Sequence, residues 1–262
     1  MNENKFSVVI RNKNESEALN NILSILNKLY KEDIYEIIII DNNSTDNSIQ
    51  IALQYNCKII TIKDFSYGKA SNIGINASKC KFVLLLSSHS IPIGNSFFKN
   101  SLIALKKNEK IAGIRYINSI ENYNRAINNS FKVIEPLKNG LNTACSIINK
   151  SVWEKHKIDE NLVFSEDKHW SETVMKDGYE LLDLNETFFY FIKRNEKSSL
   201  NRIKNETIAY HLLYEKHFPS IFRIILSLLK KIIITNNLNY FKTIIHDFKV
   251  LKMKLEILKS LN

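Results

Sequence analysis

The chain is 262 residues long and 44% hydrophobic, enough to bury one substantial core with material left for an appendage. Six glycines and three prolines exclude a linker-rich or sandwich-like protein, and three widely spaced cysteines (Cys57, Cys80, Cys145) exclude a disulfide framework and read as reduced, buried residues. The 37 lysines and arginines outnumber the 27 aspartates and glutamates, and the resulting +10 points to anionic partners such as nucleotides, nucleic acid or acidic lipid head groups.

The first residues, Met1 to Lys5, are polar and lead straight into a strand at 6–10, which reads as a chain without a secretory leader. A helix follows at 14–30, with Leu19, Ile22, Leu23, Leu26 and Leu29 at three-to-four spacing. Four consecutive isoleucines at 37–40 predict a strand buried on both faces, because β-branched residues favour the pleated backbone and nothing alternates. That strand ends at Asp41, and Asn42-Asn43-Ser44-Thr45-Asp46 is a run suited to turning the chain and capping a helix at 44–55. A strand at 58–62, a helix at 69–78 and a buried strand at 82–86 complete a βαβαβαβ alternation, the pattern of a doubly wound, mostly parallel sheet.

The middle is less regular. It reads as a strand at 111–116, a loop with some helix at 121–138, a strand at 144–148 and a helix at 150–155. A helix at 165–176 is stopped by Gly178, and strands at 179–184 and 188–192 complete the sheet. From Ser198 onward the pattern is helical and basic, so the expected organisation is an α/β domain over 1–195 and an amphipathic extension over 196–262. In that extension Phe222, Ile225, Leu228, Leu229, Ile232 and Ile233 form an apolar stripe beside Arg223, Lys230 and Lys231. A second segment at 238–261 mixes five lysines with apolar residues. Two readings stay open: helices lying on an anionic membrane, or an α-hairpin packed on the α/β domain or on another subunit. No apolar run reaches the ~18 residues needed to span a bilayer. The expected location is the cytoplasm, with or without attachment to the inner face of the cell membrane.

Ligands of open parallel sheets bind beyond the carboxyl ends of the strands, which makes Asp41 a nucleoside-contacting candidate as well as a turn residue. Gly68-Lys69 precedes a helix, where backbone N–H groups and an ammonium converge on a resting place for a diphosphate. The alternative is a solvated lysine beside a loop glycine, with Asn72 and Gly74 packing the helix close to the sheet. Ser165-Glu166-Asp167 reads as a capped helix start that also fixes a carboxylate able to act as general base. Lys193 and Arg194, with Lys69 and Arg11, are candidates to meet an anionic ligand; a basic pair facing water is the other reading. His211 and His217 lack metal-ligand spacing. A nucleic-acid reader would need a recognised motif, and the chain has none.

Five segments in this order resemble the GT-A glycosyltransferases of family 2. Val8-Val9-Ile10-Arg11-Asn12-Lys13-Asn14-Glu15 resembles that family's opening strand and helix start. Ile40-Asp41-Asn42-Asn43-Ser44-Thr45-Asp46 is similar to its nucleoside loop. Phe65-Ser66-Tyr67-Gly68-Lys69-Ala70-Ser71-Asn72-Ile73-Gly74 resembles a segment of its rhamnosyltransferase-like members. Ser87-Ser88-His89-Ser90-Ile91-Pro92 takes the place of Thr-Gln-Asp-Ala-x-Pro, and Phe164-Ser165-Glu166-Asp167 resembles the acceptor motif.

The resemblance implies an inverting transferase. It would move a hexose from a dTDP- or UDP-sugar to a hydroxyl of a bacterial surface glycan or lipid-linked acceptor. Asp167 would be the base, with Glu166 orienting; Arg11, Asn12, Asp41, Gly68, Lys69, Asn72, Ser88, His89, Lys193 and Arg194 would lie around the donor. The family's Asp-x-Asp holds a divalent cation, whereas this chain has Ser87-Ser88-His89. Imidazole suits Mn²⁺ better than Mg²⁺, so His89 is the one candidate ligand and weak or absent metal dependence is expected. The loss of those carboxylates also motivates an inactive scaffold that binds a nucleotide sugar or a partner enzyme.

Overall fold

The structure, a computed structural model, describes residues 1–192, 196–214 and 216–261, with side chains of the last helix described to 254. It forms two compact units, Met1–Tyr214 and Glu215–Asn262.

The first unit opens with β1 (Asn2–Asn12), α1 (Ser16–Leu29), β2 (Ile34–Asp41), α2 (Ser48–Gln54), β3 (Lys58–Thr61), α3 (Tyr67–Ala77) and β4 (Cys80–Ser87). It continues through β5 (Ser90–Ile93), α4 (Phe97–Lys106), β6 (Ile111–Tyr116), α5 (Ile120–Asn128), α6 (Pro136–Asn139), β7 (Cys145–Asn149) and α7 (Lys150–Lys155). It closes with α8 (Glu166–Lys176), β8 (Glu180–Leu184), β9 (Thr187–Tyr190) and α9 (Glu196–Leu213). The seven-stranded sheet runs β3-β2-β1-β4-β7-β6-β8. β1, β2, β3 and β4 pair in parallel, β7 runs antiparallel to both β4 and β6, and β8 is parallel to β6. The expected doubly wound, mainly parallel α/β fold is therefore present, with one reversed strand.

The apolar runs explain why the centre of the sheet is covered twice. Val8, Ile10, Leu84 and Leu86 face Leu19, Leu23, Phe97 and Phe98 on one side; Val9, Ile40, Val83 and Leu85 face Ala70, Ile75, Trp153 and Trp170 on the other. Consecutive apolar residues in one strand thus serve two different layers. Gly74 permits the close approach of α3 to the sheet, since a Cβ there would come within 2.3 Å of Val9 Cγ1. Gly178 stops α8 as expected, at φ +83°, with the Gly178 and Tyr179 amides donating to the Met175 and Val174 carbonyls.

Other expectations change. Of the residues read as the last strand of the main sheet, 188–192, only 188–190 are strand, and they lie in β9, which pairs antiparallel with β5 in a separate two-stranded sheet. β5 carries Pro92, which cannot donate to a ladder and hid the strand from pattern reading. The helix expected to begin at 44 begins at Ser48, because residues 42–47 are drawn into the loop held by Asp41. α4, which the pattern reading left unassigned, buries Phe97, Phe98, Ala104 and Leu105. α9, read as the start of the extension, belongs to the first unit.

In the second unit, α10 (Ile221–Lys230), a π-helical segment (Lys231–Asn236) and α11 (Asn237–Leu261) follow without a break. Lys230, Lys231 and Asn237 at the two junctions all keep helical dihedrals (φ −57, −64 and −66°). A continuous helix replaces the two segments of the hairpin reading.

Candidate active site

The carboxyl ends of β1, β2 and β4 lie level, with Arg11 in register with Ile40 and Ser87, and Asn12 with Asp41. Above them opens a cleft of about 860 Å³, lined among others by Arg11, Asn12, Asn42, Tyr67, Ser88, His89, Thr143, Glu166 and Asp167. Its size lies in the range of small-molecule sites.

Three charged side chains meet at the floor through one residue, Thr143. Arg11 Nη2 donates to the Thr143 carbonyl at 2.7 Å and Nη1 to its hydroxyl at 3.2 Å. The same hydroxyl donates to Glu166 Oε1 at 3.2 Å, and the Thr143 amide donates to Asp167 Oδ2 at 3.1 Å. Arg11 also stands 3.8 Å from Glu166 and 5.3 Å from the Tyr67 ring centroid, a cation–π distance. Glu166 is 4% exposed. Burial first, and then the charge of Asp167, push its carboxyl up to about 7, against the opposing effect of Arg11.

The neighbouring Lys168 ties down the 140–143 loop by donating to the Gly140 and Leu141 carbonyls, both at 2.7 Å. Its burial lowers the ammonium to about 8. Arg115 holds the Asn139 carbonyl at 2.6 Å, so this loop is anchored from two directions.

The helix start carrying these acids differs from the expected N-cap. Ser165 is left-handed at φ 62° and makes no capping side-chain bond. Asp167 instead accepts from the Lys168 amide at 2.8 Å, within the first turn where the helix dipole favours negative charge.

Asp41 is buried at the edge of the cleft and organises a turn: it accepts from the Ser44 amide (2.8 Å) and hydroxyl (2.6 Å) and from Asn12 Nδ2 (3.2 Å). Its neighbours Asn12 and Asn42 reach the cleft wall. On α3 the placements divide. Tyr67 lines the cleft in edge-to-face contact with Phe65 (5.1 Å) and Phe164 (6.1 Å). Gly68 turns away, where a Cβ would meet the Asp159 carbonyl at 2.3 Å. Asn72 donates to the Ile158 carbonyl and Glu160, and accepts from the Trp153 indole and the Ile158 amide. Both residues dock α3 on residues 158–160. Lys69 stands 3.9 Å from the exposed Asp64. Lys193 and Arg194 lie outside the described residues.

His89 follows β4, held by the β5–β9 pair through the Phe191 amide, which donates to its carbonyl at 3.0 Å. Its Nε2 is 3.7 Å from Glu15 Oε1, and its ring stands edge-on to Tyr190 and Phe191. One imidazole, one carboxylate and the hydroxyls of Ser87 and Ser88 are a poor match to the oxygen shell that Mg²⁺ demands. Among the described residues no group of three His, Cys, Asp or Glu side chains could hold a metal ion. The donor set here does not reproduce an Asp-x-Asp centre.

Two contributors escaped sequence reading. Thr143 sits in an unpatterned loop and gains its role only when β7 places it against α8. α9 adds Lys197, Asn201 and Arg202 to the cleft wall, although nothing in its pattern marks it as part of a site.

A mainly parallel sheet with one reversed strand, open beside such a cleft, defines an α/β framework that solved structures of similar fold share. The mannosyltransferase of Pyrobaculum calidifontis, solved with GDP-Man and Mn²⁺, superposes at a TM-score of 0.64 with 11% identity over 82% of this chain and 66% of that one. Glucosyl-3-phosphoglycerate synthase of Mycobacterium tuberculosis, solved with Mn²⁺, UDP and glucosyl-3-phosphoglycerate, gives 0.61 with 13% identity over 83% and 82%. S. aureus TarS 1–349 with UDP-GlcNAc gives 0.58 with 19% identity over 74% and 60%. The chain thus spans 66% of the first of these proteins and 60% of the third, in both cases less than two thirds. No curated protein sequence matches it. The fold is GT-A, and the description "Glycosyl transferase family 2" matches residues 7–160: the chain belongs to glycosyl transferase family 2.

Proposed function

We propose that this protein is an inverting hexosyltransferase, moving a sugar from a nucleoside-diphosphate donor to a hydroxyl of a bacterial surface glycan or a lipid-linked acceptor. The observation that carries the reading is the convergence of Arg11, Glu166 and Asp167 on Thr143 at the floor of the cleft. Asp167 takes the proton of the acceptor hydroxyl as that oxygen attacks the anomeric carbon. Each of its oxygens accepts one backbone N–H and keeps a further lone pair for the acceptor. Glu166, buried and held by Thr143 and Arg11, fixes the position of that base and excludes water. Arg11 is committed to the acids and to Tyr67, and Arg202 pairs through Nε with Glu206, so Lys13 and Lys197 in the wall offset charge on the departing diphosphate, with the outer nitrogens of Arg202. Asn12, Asn42 and Ser88 face the donor; His89 serves as a hydrogen-bonding group there.

The similar structures carry different nucleotides, GDP in one and UDP in others, and do not choose a donor for this chain. The Phe65-Ser66-Tyr67-Gly68 segment makes a dTDP-sugar the first to try. A thermal-shift panel of UDP-, dTDP-, GDP- and CMP-sugars identifies the donor, since a ligand at a hundred times its Kd adds about 2.7 kcal/mol of stability. With that donor, Asp167→Asn should lower kcat by roughly 10²–10⁴ while donor affinity stays unchanged. Undiminished turnover would remove Asp167 from the mechanism. The missing Asp-x-Asp favours a second reading, a non-catalytic nucleotide-sugar scaffold, which predicts donor binding with no turnover in the wild-type protein.

A further inference from the structure

The second unit is one helix whose geometry turns two mismatched stripes into a single face. In α10, Phe222, Ile225, Leu226 and Leu229 share one side, and Arg223, Ser227 and Lys230 share the other. Continued as a plain α-helix at about 100° per residue, Phe241, Ile244 and Phe248 would fall on the side of Arg223 and Lys230. The π segment Lys231–Asn236 prevents this. Each of its hydrogen-bonded rings takes in one more residue, so the segment occupies the arc of about five α-helical residues and turns α11 back by roughly 100°. Phe241, Ile244 and Phe248 then continue the stripe of Phe222 and Leu229, and Lys242 and Lys249 continue that of Arg223 and Lys230.

The stripe runs about 45 Å, from residue 221 to 251, at 1.5 Å per residue, and ends where Lys252 falls on the same side. Within the second unit nothing covers it: Phe222 is 70% exposed, Phe241 61% and Phe248 67%, and α10 has no buried residue. The charge selects the occupant. Residues 216–254 hold eight lysines and arginines and one acid, Asp247. A second copy would bring the same positive charge to the same face, and the apolar side of α10 is wider than a coiled-coil seam. No described helix is long and apolar enough to cross a membrane. We propose that the α10–α11 helix lies in the interface of an anionic lipid bilayer, its apolar stripe among the acyl chains and its basic stripe on the head-group phosphates.

The test is co-sedimentation of the full chain with phosphatidylcholine vesicles, and with vesicles containing about a third phosphatidylglycerol. The anionic vesicles should retain the protein and release it at high salt, and the neutral ones should not. A Phe222→Ser, Phe241→Ser, Phe248→Ser triple variant should bind at least ~10-fold more weakly, with its circular dichroism and donor binding unchanged. An alanine inserted between Asn236 and Asn237 keeps composition and charge but turns α11 by a further ~100°, and should weaken binding similarly. Wild-type protein left in the supernatant with anionic vesicles would overturn the proposal. So would an insertion variant that binds like wild type, or dimerisation lost in the triple variant without any vesicle binding.

Discussion

Thr143 meets Arg11, Glu166 and Asp167 through its carbonyl, hydroxyl and amide, so one residue sets the relative positions of three charged groups. Thr143→Val preserves the backbone contacts and deletes both hydroxyl bonds. A charged-group hydrogen bond contributes about 1.5–3 kcal/mol, so kcat should fall roughly tenfold or more with little change in donor KM. Steady-state kinetics on the folded variant checks this. Glu166 supplies a pH signature. Its carboxyl is raised from 4.5 to about 7, so between these values the folded protein binds a proton that the unfolded chain has released. Stability from this group is therefore lost as pH rises through that window. Glu166→Gln should flatten the fall in Tm between pH 4.5 and about 7, measured by calorimetry against wild type. Arg11, Glu166 and Asp167 were legible because they stand in short motifs at strand and helix ends. Thr143 was not, since a threonine in a loop carries no pattern until its partners arrive.

At the scale of elements, α3 shows how a motif residue can serve packing. Asn72 was a donor-binding candidate, yet its amide makes four hydrogen bonds that join α3 to Trp153, Ile158 and Glu160. Asn72→Ala leaves the Trp153 indole and Ile158 amide unsatisfied and should cost about 2–3 kcal/mol in denaturant unfolding, with donor affinity unchanged. A stable variant with weakened donor binding would restore the binding role. The central strands were readable because runs such as Ile37 to Ile40 fit only a doubly covered strand. β9 was read as a strand but assigned to the main sheet, and its partner β5 was not read, because a four-residue strand containing proline gives too little periodicity. The α10–α11 helix shows the limit of period counting: a uniform 100° step splits its apolar residues between two sides, and the π segment reunites them.

On the scale of the whole molecule, the sheet brings β1, β2 and β4 ends to one level and the chain returns through β7 and α8 to face them. α9, distant in sequence, then walls the cleft with Lys197 and Arg202. With basic side chains in the cleft wall and Ser87-Ser88-His89 in place of Asp-x-Asp, the proposed transferase should keep its donor affinity in EDTA within ~2-fold of that in Mn²⁺. Isothermal titration with the donor from the nucleotide-sugar panel measures this, and a tenfold loss in EDTA would make His89 and Glu15 ligands after all.

The sequence by itself determined the alternation of strands and helices, the positions of the strand ends and the acidic start of α8. These follow from backbone preference and the period of burial, both written in near neighbours. Tertiary structure alone decided that Asn72 and Gly68 dock a helix, that Thr143 joins the acids to Arg11, and that α9 closes the cleft. Each of those contacts joins residues far apart in the chain, where only packing and hydrogen-bond satisfaction choose the partner.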